Sequence, residues 1–232
     1  MAVNKQNLIF IKICLLFIAL LAACTSSTTS VPQIDDSHNR ALPTSTQEFN
    51  DTVNLNNPKV RQLDVDLTVL GDARDRSRID QGVAQAKVIF SQCRIALKVN
   101  TTTLPDTVTS DITSRQRYEL TRSHVDRKPA IFIVNSTVER DVAYSYLPSI
   151  QREVSGTAWL TNRVSDRCLG WIMAHEVGHI LMDNSIHHSD RNNVMNAQCS
   201  VNNYSAASTL PRWTEDQCGL MVRQLSNSEL LR

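Results

Sequence analysis

Four of the chain's six histidines fall between His175 and Met195, in the stretch HEVGHILMDNSIHHSDRNNVM. It opens His175-Glu176-Val177-Gly178-His179. Residues four apart on an α-helix lie on one face about a turn apart, so these two imidazoles can aim at a single point. A Zn²⁺ ion at that point needs four ligands in a tetrahedron, with Zn–N distances of roughly 2.0–2.1 Å. Glu176 is one residue round from His175, too close to complete the tetrahedron. It is well placed to hydrogen-bond a water held by the metal, as a general base must. Past the helix, His187 and His188 can swing back toward the same point. The bland alternative is a helix whose histidines are simply hydrogen-bonded.

The element that must position these groups is legible upstream. Cys168, Leu169, Ile172, Met173, Val177, Ile180 and Leu181 recur at helical spacing, with Ser165 or Asp166 as N-cap. This predicts an apolar stripe facing the core, with His175 and His179 emerging on its flank. Gly178 costs about 1 kcal/mol of helix propensity against Ala, so something is expected to pack closely against it. The helix is expected to end near Asp183-Asn184, with Asn184 taking the left-handed turn usually given to Gly.

A helical HExxH, a further His just past the helix, then a short loop ending in Met resembles the metzincin clan of zinc peptidases. The resemblance implies that His175 and His179 are metal ligands and Glu176 the general base. Met195, in Asn192-Asn193-Val194-Met195, is similar to the methionine of the turn beneath the metal. His187 precedes Met195 by eight residues, a spacing similar to matrixin-type members, which implies His187 as the third ligand with His188 as the alternative. The chain departs from the clan in two places. The position six residues after His179, where the third His usually stands, is Ser185, and the usual Gly position is Met182. No Tyr follows Met195 closely, and a Glu ligand would have to come from Glu215 or Glu229, both in an expected C-terminal helix.

At the start of the chain, Lys5 and Lys12 accompany an apolar run, Leu8 to Leu21, too short for a membrane span. Residues 1–23 are therefore read as a signal peptide. The sequence Leu21-Ala22-Ala23-Cys24 resembles the lipobox of bacterial lipoproteins, which implies cleavage before Cys24 and its lipidation. Thr25 in place of Asp implies sorting to the outer membrane, so the expected location is the bacterial cell envelope, tethered to the lipid bilayer through Cys24. An ordinary secretory signal with Cys24 a bystander is the alternative. Residues 24–57 are rich in Ser, Thr, Asn, Asp and Pro and cannot bury enough apolar surface to offset ordering entropy. They read as a flexible tether with a reach on the order of 30 Å. His38 lies in it and is expected to have no role.

Residues 58–232 read as one α+β domain, long enough for a single core. Val65, Leu67 and Val69 alternate as a strand. Ile79, Val83, Ala86, Ile89 and Phe90 follow helical spacing, and Ile95, Leu97 and Val99 alternate again. Ala130 to Val134 is a continuous apolar run, consistent with a central strand. His124, isolated among charged residues, is expected to bind nothing. By the metzincin resemblance the fold is a mixed twisted sheet with a long active-site helix and a C-terminal helix. Residues 155–161, with Gly156, Thr157, Ala158 and Trp159, would then be the sheet edge where an extended substrate docks. The alternative is a structural strand with Trp159 in the core. Thr214-Glu215-Asp216-Gln217 is a capping box opening the last helix.

With Cys14 in the signal and Cys24 lipidated, Cys93, Cys168, Cys199 and Cys218 remain, an even number that in an exported chain suggests two disulfides with three possible pairings. Cys199–Cys218 with Cys93–Cys168 is favoured, because it clips the Met195 segment to the last helix. Removing residues 1–23 takes away two Lys and no acid, leaving a net charge of −1 and no argument for nucleic acid. There is no GxSxG elbow, phosphate-cradling Gly loop or CxxC pair. The expectation is a zinc endopeptidase acting on a peptide or protein in the envelope. The rivals are a non-catalytic, zinc-stabilised lipoprotein that binds a partner and a hydrolase of peptidoglycan cross-links.

Overall fold

The computed structural model describes residues 60–105, 111–126, 128–139, 141–150, 153–199 and 210–227. The expected signal segment 1–23, Cys24 and the tether 24–57 lie outside the described residues. Strand β1 (Arg61–Leu70) leads to helix α1 (Arg76–Ser91), β2 (Ile95–Leu104), a two-residue β3 (Asp111–Ile112) and α2 (Ser114–His124). Then come β4 (Ala130–Val134), a two-residue β5 (Ser136–Thr137), β6 (Ala143–Tyr146) and β7 (Thr157–Thr161). A 3₁₀ turn (Asp166–Cys168) runs into α3 (Leu169–Met182), and α4 (Glu215–Ser226) follows. Among the described residues no helix is long and apolar enough to cross a membrane.

The main sheet has the order β2-β1-β4-β7-β6. β1, β2, β4 and β7 run parallel, and β6 is antiparallel to β7. Parallel neighbours need crossovers, which α1, α2 and the segment between β4 and β7 supply. Alternation sorts the side chains by face: Ile131 and Ile133 of β4 join the cluster that holds α1 and α3, whereas Phe132 and Val134 join Leu120 of α2. The sheet is thus covered on both sides, which is why β4 reads as an unbroken apolar run.

The expected substrate edge at 155–161 does not survive. β7 is hydrogen-bonded to β4 on one side and β6 on the other, and all five of its residues are buried. Gly156, Thr157, Ala158 and Trp159 therefore offer no free edge, and Trp159 stacks on Phe132 with ring centroids 4.2 Å apart. The sheet's two edge strands are β2 and β6, and β6, whose four residues are all half-buried, is the one beside β7. Which strand lies outermost depends on a long-range pairing, and strand propensity in the TAWLT stretch carries no information about it.

Helix α3 is buried on nearly every face, as its apolar composition requires. Its start crosses α1 where both helices carry glycine. A Cβ on Gly82 would meet Leu169 Cγ at 2.8 Å, and one on Gly170 would meet the Gly82 carbonyl. Ser165 caps the short 3₁₀ turn, and α3 proper begins after Cys168.

The disulfides also differ from the favoured pairing: they are Cys93–Cys218 and Cys168–Cys199. The first joins the end of α1 to α4, and the second joins the start of α3 to the segment beyond Met195. The expected clip between the Met195 segment and the last helix failed because Cys218 of α4 meets Cys93, just past the end of α1, leaving Cys199 to pair with Cys168 at the start of α3. On the chain-entropy model, closing loops of 31 and 125 residues contributes about 4 and about 5 kcal/mol respectively. A non-reduced proteolytic digest analysed by mass spectrometry is expected to yield linked peptides for these two pairs. A Cys199–Cys218 peptide would contradict both pairings.

Candidate metal centre

His175 and His179 sit one turn apart on α3, both buried, with their Nε2 atoms 3.0 Å apart. His187, exposed on the loop beyond, brings its ring to 5.2 Å from that of His175 and 5.1 Å from that of His179, centroid to centroid. One nitrogen from each of the three lies within 4.8 Å of the other two. His188 is not in this cluster. Its Nδ1 accepts from the Asp190 amide, and its own amide donates to the Met195 carbonyl. Among the described residues no carboxylate or thiolate joins the three imidazoles.

The far side of each α3 imidazole fixes its tautomer. His175 Nδ1 lies 2.8 Å from the Val194 carbonyl and His179 Nδ1 2.5 Å from the Asn184 carbonyl. A carbonyl only accepts, so both Nδ1 atoms carry the proton and donate. A neutral imidazole then has a bare Nε2, and two bare Nε2 lone pairs face each other across 3.0 Å with no proton between them. Burial, then the neighbouring His179, pushes His175 down to about 4, and burial likewise lowers His179. A cation at that point would relieve the repulsion between the two lone pairs. Neutral imidazoles oriented by backbone carbonyls are the donor set that Zn²⁺ takes, so the residues present fit that ion.

Glu176 is 5 % exposed on the same helix. Burial pushes its carboxyl up to about 7, against a smaller opposite pull from the Ser145 hydroxyl of β6. Ser145 was not legible as a site residue, because only the β6–β7 pairing brings it over α3.

The turn ending at Met195 is held from several directions. The Val194 carbonyl accepts from His175 and also from Trp171 Nε1 at 2.8 Å. Met195 N donates to Asn193 Oδ1 at 2.8 Å, and the Asn193 and Gln217 amides exchange bonds of 3.0 and 3.1 Å, so the helix-capping Gln217 also fixes this turn. Gly178 explains itself here: a Cβ on it would lie 2.5 Å from Trp213 Cη2 and 3.1 Å from Met195 Sδ. Trp213, the residue that requires this glycine, had no signal in the sequence. The helix ends one residue earlier than expected. Asp183, not Asn184, takes the left-handed conformation (φ 48°, ψ 45°), and its Oδ1 accepts from Ser149 N at 3.0 Å and Ser149 Oγ at 2.8 Å.

No family model matches the sequence, and no curated protein matches it. Among solved structures, the chain is similar to metalloproteinase-II from Bacteroides fragilis, at 16% identity and a TM-score of 0.52, over 72% of this chain and 53% of that one. This chain therefore spans about half the length of that metalloproteinase. It also matches promirolysin of Tannerella forsythia (10% identity, TM-score 0.49, 79% of this chain and 86% of that one). A third match is archaemetzincin from Methanopyrus kandleri (15% identity, TM-score 0.47, 73% and 98%). The Bacteroides likeness is one of fold alone, a mixed α+β domain.

Gly178→Ala is expected to lower stability by about 1–3 kcal/mol through overpacking against Trp213 and Met195. Urea unfolding checks this. An unchanged midpoint would mean that the indole yields freely and that the close approach does not demand glycine.

Proposed function

We propose that this chain is a zinc-dependent endopeptidase carried on the bacterial envelope by a lipidated Cys24. The observation that carries the reading is the pair of Nε2 atoms held 3.0 Å apart, with backbone carbonyls behind both rings, His187 as the third nitrogen and the buried Glu176 alongside. His175, His179 and His187 would hold Zn²⁺, which supplies a Lewis acid for a scissile carbonyl and acidifies water. Glu176 takes a proton from the attacking water and hands it to the leaving amine. Its burial favours this, since a carboxyl whose proton affinity is raised can carry the proton between the two steps. The extended substrate adds to the free edge of β6, with backbone hydrogen bonds supplying affinity. Met195 is the floor of the site, with no chemical step.

The anchoring half of the reading rests on Leu21-Ala22-Ala23-Cys24, and its outer-membrane part on Thr25 after the cysteine; the substrate would then be a peptide or protein of the envelope. Several acyl chains on one residue would make the attachment stable, at about 0.8 kcal/mol per buried CH₂.

Metal analysis of the purified protein is expected to find one zinc per chain, and a peptide library is expected to be cleaved. Glu176→Gln should keep the zinc and lose at least about 100-fold in turnover, the usual worth of a positioned acid–base group. Full activity in that variant would remove Glu176 as the base. Zinc without cleavage of any peptide would favour the non-catalytic lipoprotein, and digestion of purified sacculi but not casein would point to peptidoglycan.

A further inference from the structure

Local propensity favours glycine over aspartate at the last turn of α3. A left-handed residue costs roughly 1–2 kcal/mol for an ordinary side chain, less for Asp or Asn and almost nothing for glycine. A carboxylate at a helix C-terminus also faces the negative end of the macrodipole, a further penalty of about 0.3–1 kcal/mol. Glycine would satisfy both demands. Asp183 is nonetheless there, and its Oδ1 takes two hydrogen bonds, at 3.0 and 2.8 Å, from the amide and hydroxyl of Ser149. Ser149 lies 34 residues away, in the turn that follows β6.

The backbone at Asp183 has a second consequence. Its left-handed turn lets the Asn184 amide return to the His179 carbonyl at 3.2 Å, and it swings the Asn184 carbonyl onto His179 Nδ1. The Asn184 side chain then accepts from the Ile186 amide at 2.8 Å, which starts the loop that delivers His187. One residue thus sets the orientation of one candidate ligand, launches the segment bearing another, and ties both to the far end of the edge strand.

We infer that Asp183 is a positioning residue with two separable parts. Its left-handed backbone orients His179 for the metal, and its carboxylate clasps residues 147–150 so that β6 is held in register with the metal for an incoming peptide. The inference rests on the metallopeptidase reading for what the positions are for, but the clasp itself can be tested without it.

Three substitutions separate the parts in the full-length chain. Asp183→Gly keeps the turn and removes the carboxylate. It should leave zinc affinity within about threefold of the parent, raise KM severalfold at similar kcat, and speed amide exchange across 147–150. Asp183→Ala strains the turn as well, and should weaken zinc about 10-fold or more in a chelator competition, the usual scale for losing the outer support of a metal ligand. Asp183→Asn retains a carbonyl acceptor and tolerates the turn, and should recover most of both properties. If Asp183→Gly changes neither the exchange of 147–150 nor KM, the clasp is wrong. If Asp183→Ala holds zinc as tightly as the parent, the orienting role is wrong. A parent chain that takes up no zinc, while exchange at 147–150 still responds to Asp183→Gly, would sink the peptidase reading and the orienting role and leave the clasp standing.

Discussion

The Val194 carbonyl accepts one hydrogen bond from His175 Nδ1 and another from Trp171 Nε1, both at 2.8 Å. That oxygen decides which ring nitrogen of His175 is bare, and so where the lone pair points. Its position is fixed redundantly. The Val194 amide donates to the Arg212 carbonyl at 2.9 Å, and the Arg212 amide returns a bond of 2.7 Å to Asn192. The Asn193–Gln217 pair ties the same turn to α4, and Cys168–Cys199 closes the segment covalently onto the start of α3. A misplacement of about 1 Å at a reacting centre can cost two orders of magnitude in rate, so this redundancy has a functional rationale.

The same constraint shapes the helix itself. A helix with two glycines and the β-branched Ile172, Val177 and Ile180 loses part of its intrinsic propensity, and in isolation 14 residues are marginal in any case. Tertiary packing holds it. Gly170 lets α1 approach, Gly178 admits Trp213 and Met195, and the indole of Trp213 is itself fixed by donation to Ile89 O at 3.1 Å. The two glycines weaken the helix locally and permit the contacts that hold it globally, so the site and the core cannot be stabilised independently.

What was legible in the sequence followed from short-range periodicity. The four-residue spacing of His175 and His179, the alternation in β1 and β2, the apolar run of β4 and the capping box of α4 are local signals, and each has its element in the structure. What was not legible depended on partners distant along the chain. The disulfide pairing turned on Cys218 of α4 meeting Cys93 just past α1, and the identity of the strand outside β7 turned on the β6–β7 pairing. Ser145 and Trp213 became site residues only through those same placements. The left-handed residue moved from Asn184 to Asp183 because a long-range acceptor role outweighed a local preference that scarcely separates Asn from Asp.

An edge strand that is to receive another chain must present a fixed ladder, and a four-residue strand with one neighbour has little intrinsic rigidity. β6 obtains it from both faces. Ser145 turns toward α3 and the Glu176 carboxyl, while Tyr144 and Tyr146 turn the other way, onto the Arg117 guanidinium at 5.0 and 6.0 Å. Arg117 is 2 % exposed, and its Nε and Nη1 make no hydrogen bond. Burial opposes its charge, and the bond to the Glu139 carboxylate favours it. A buried cation with two idle donors is an expensive way to fill space, since each unmet donor costs about 1–3 kcal/mol. The expense is intelligible if the rings it attracts must not move: cation–π attraction strengthens on desolvation and draws both tyrosines, hence the β6 backbone between them, against α2. The strand that borders Glu176 is thereby clamped through alternate side chains.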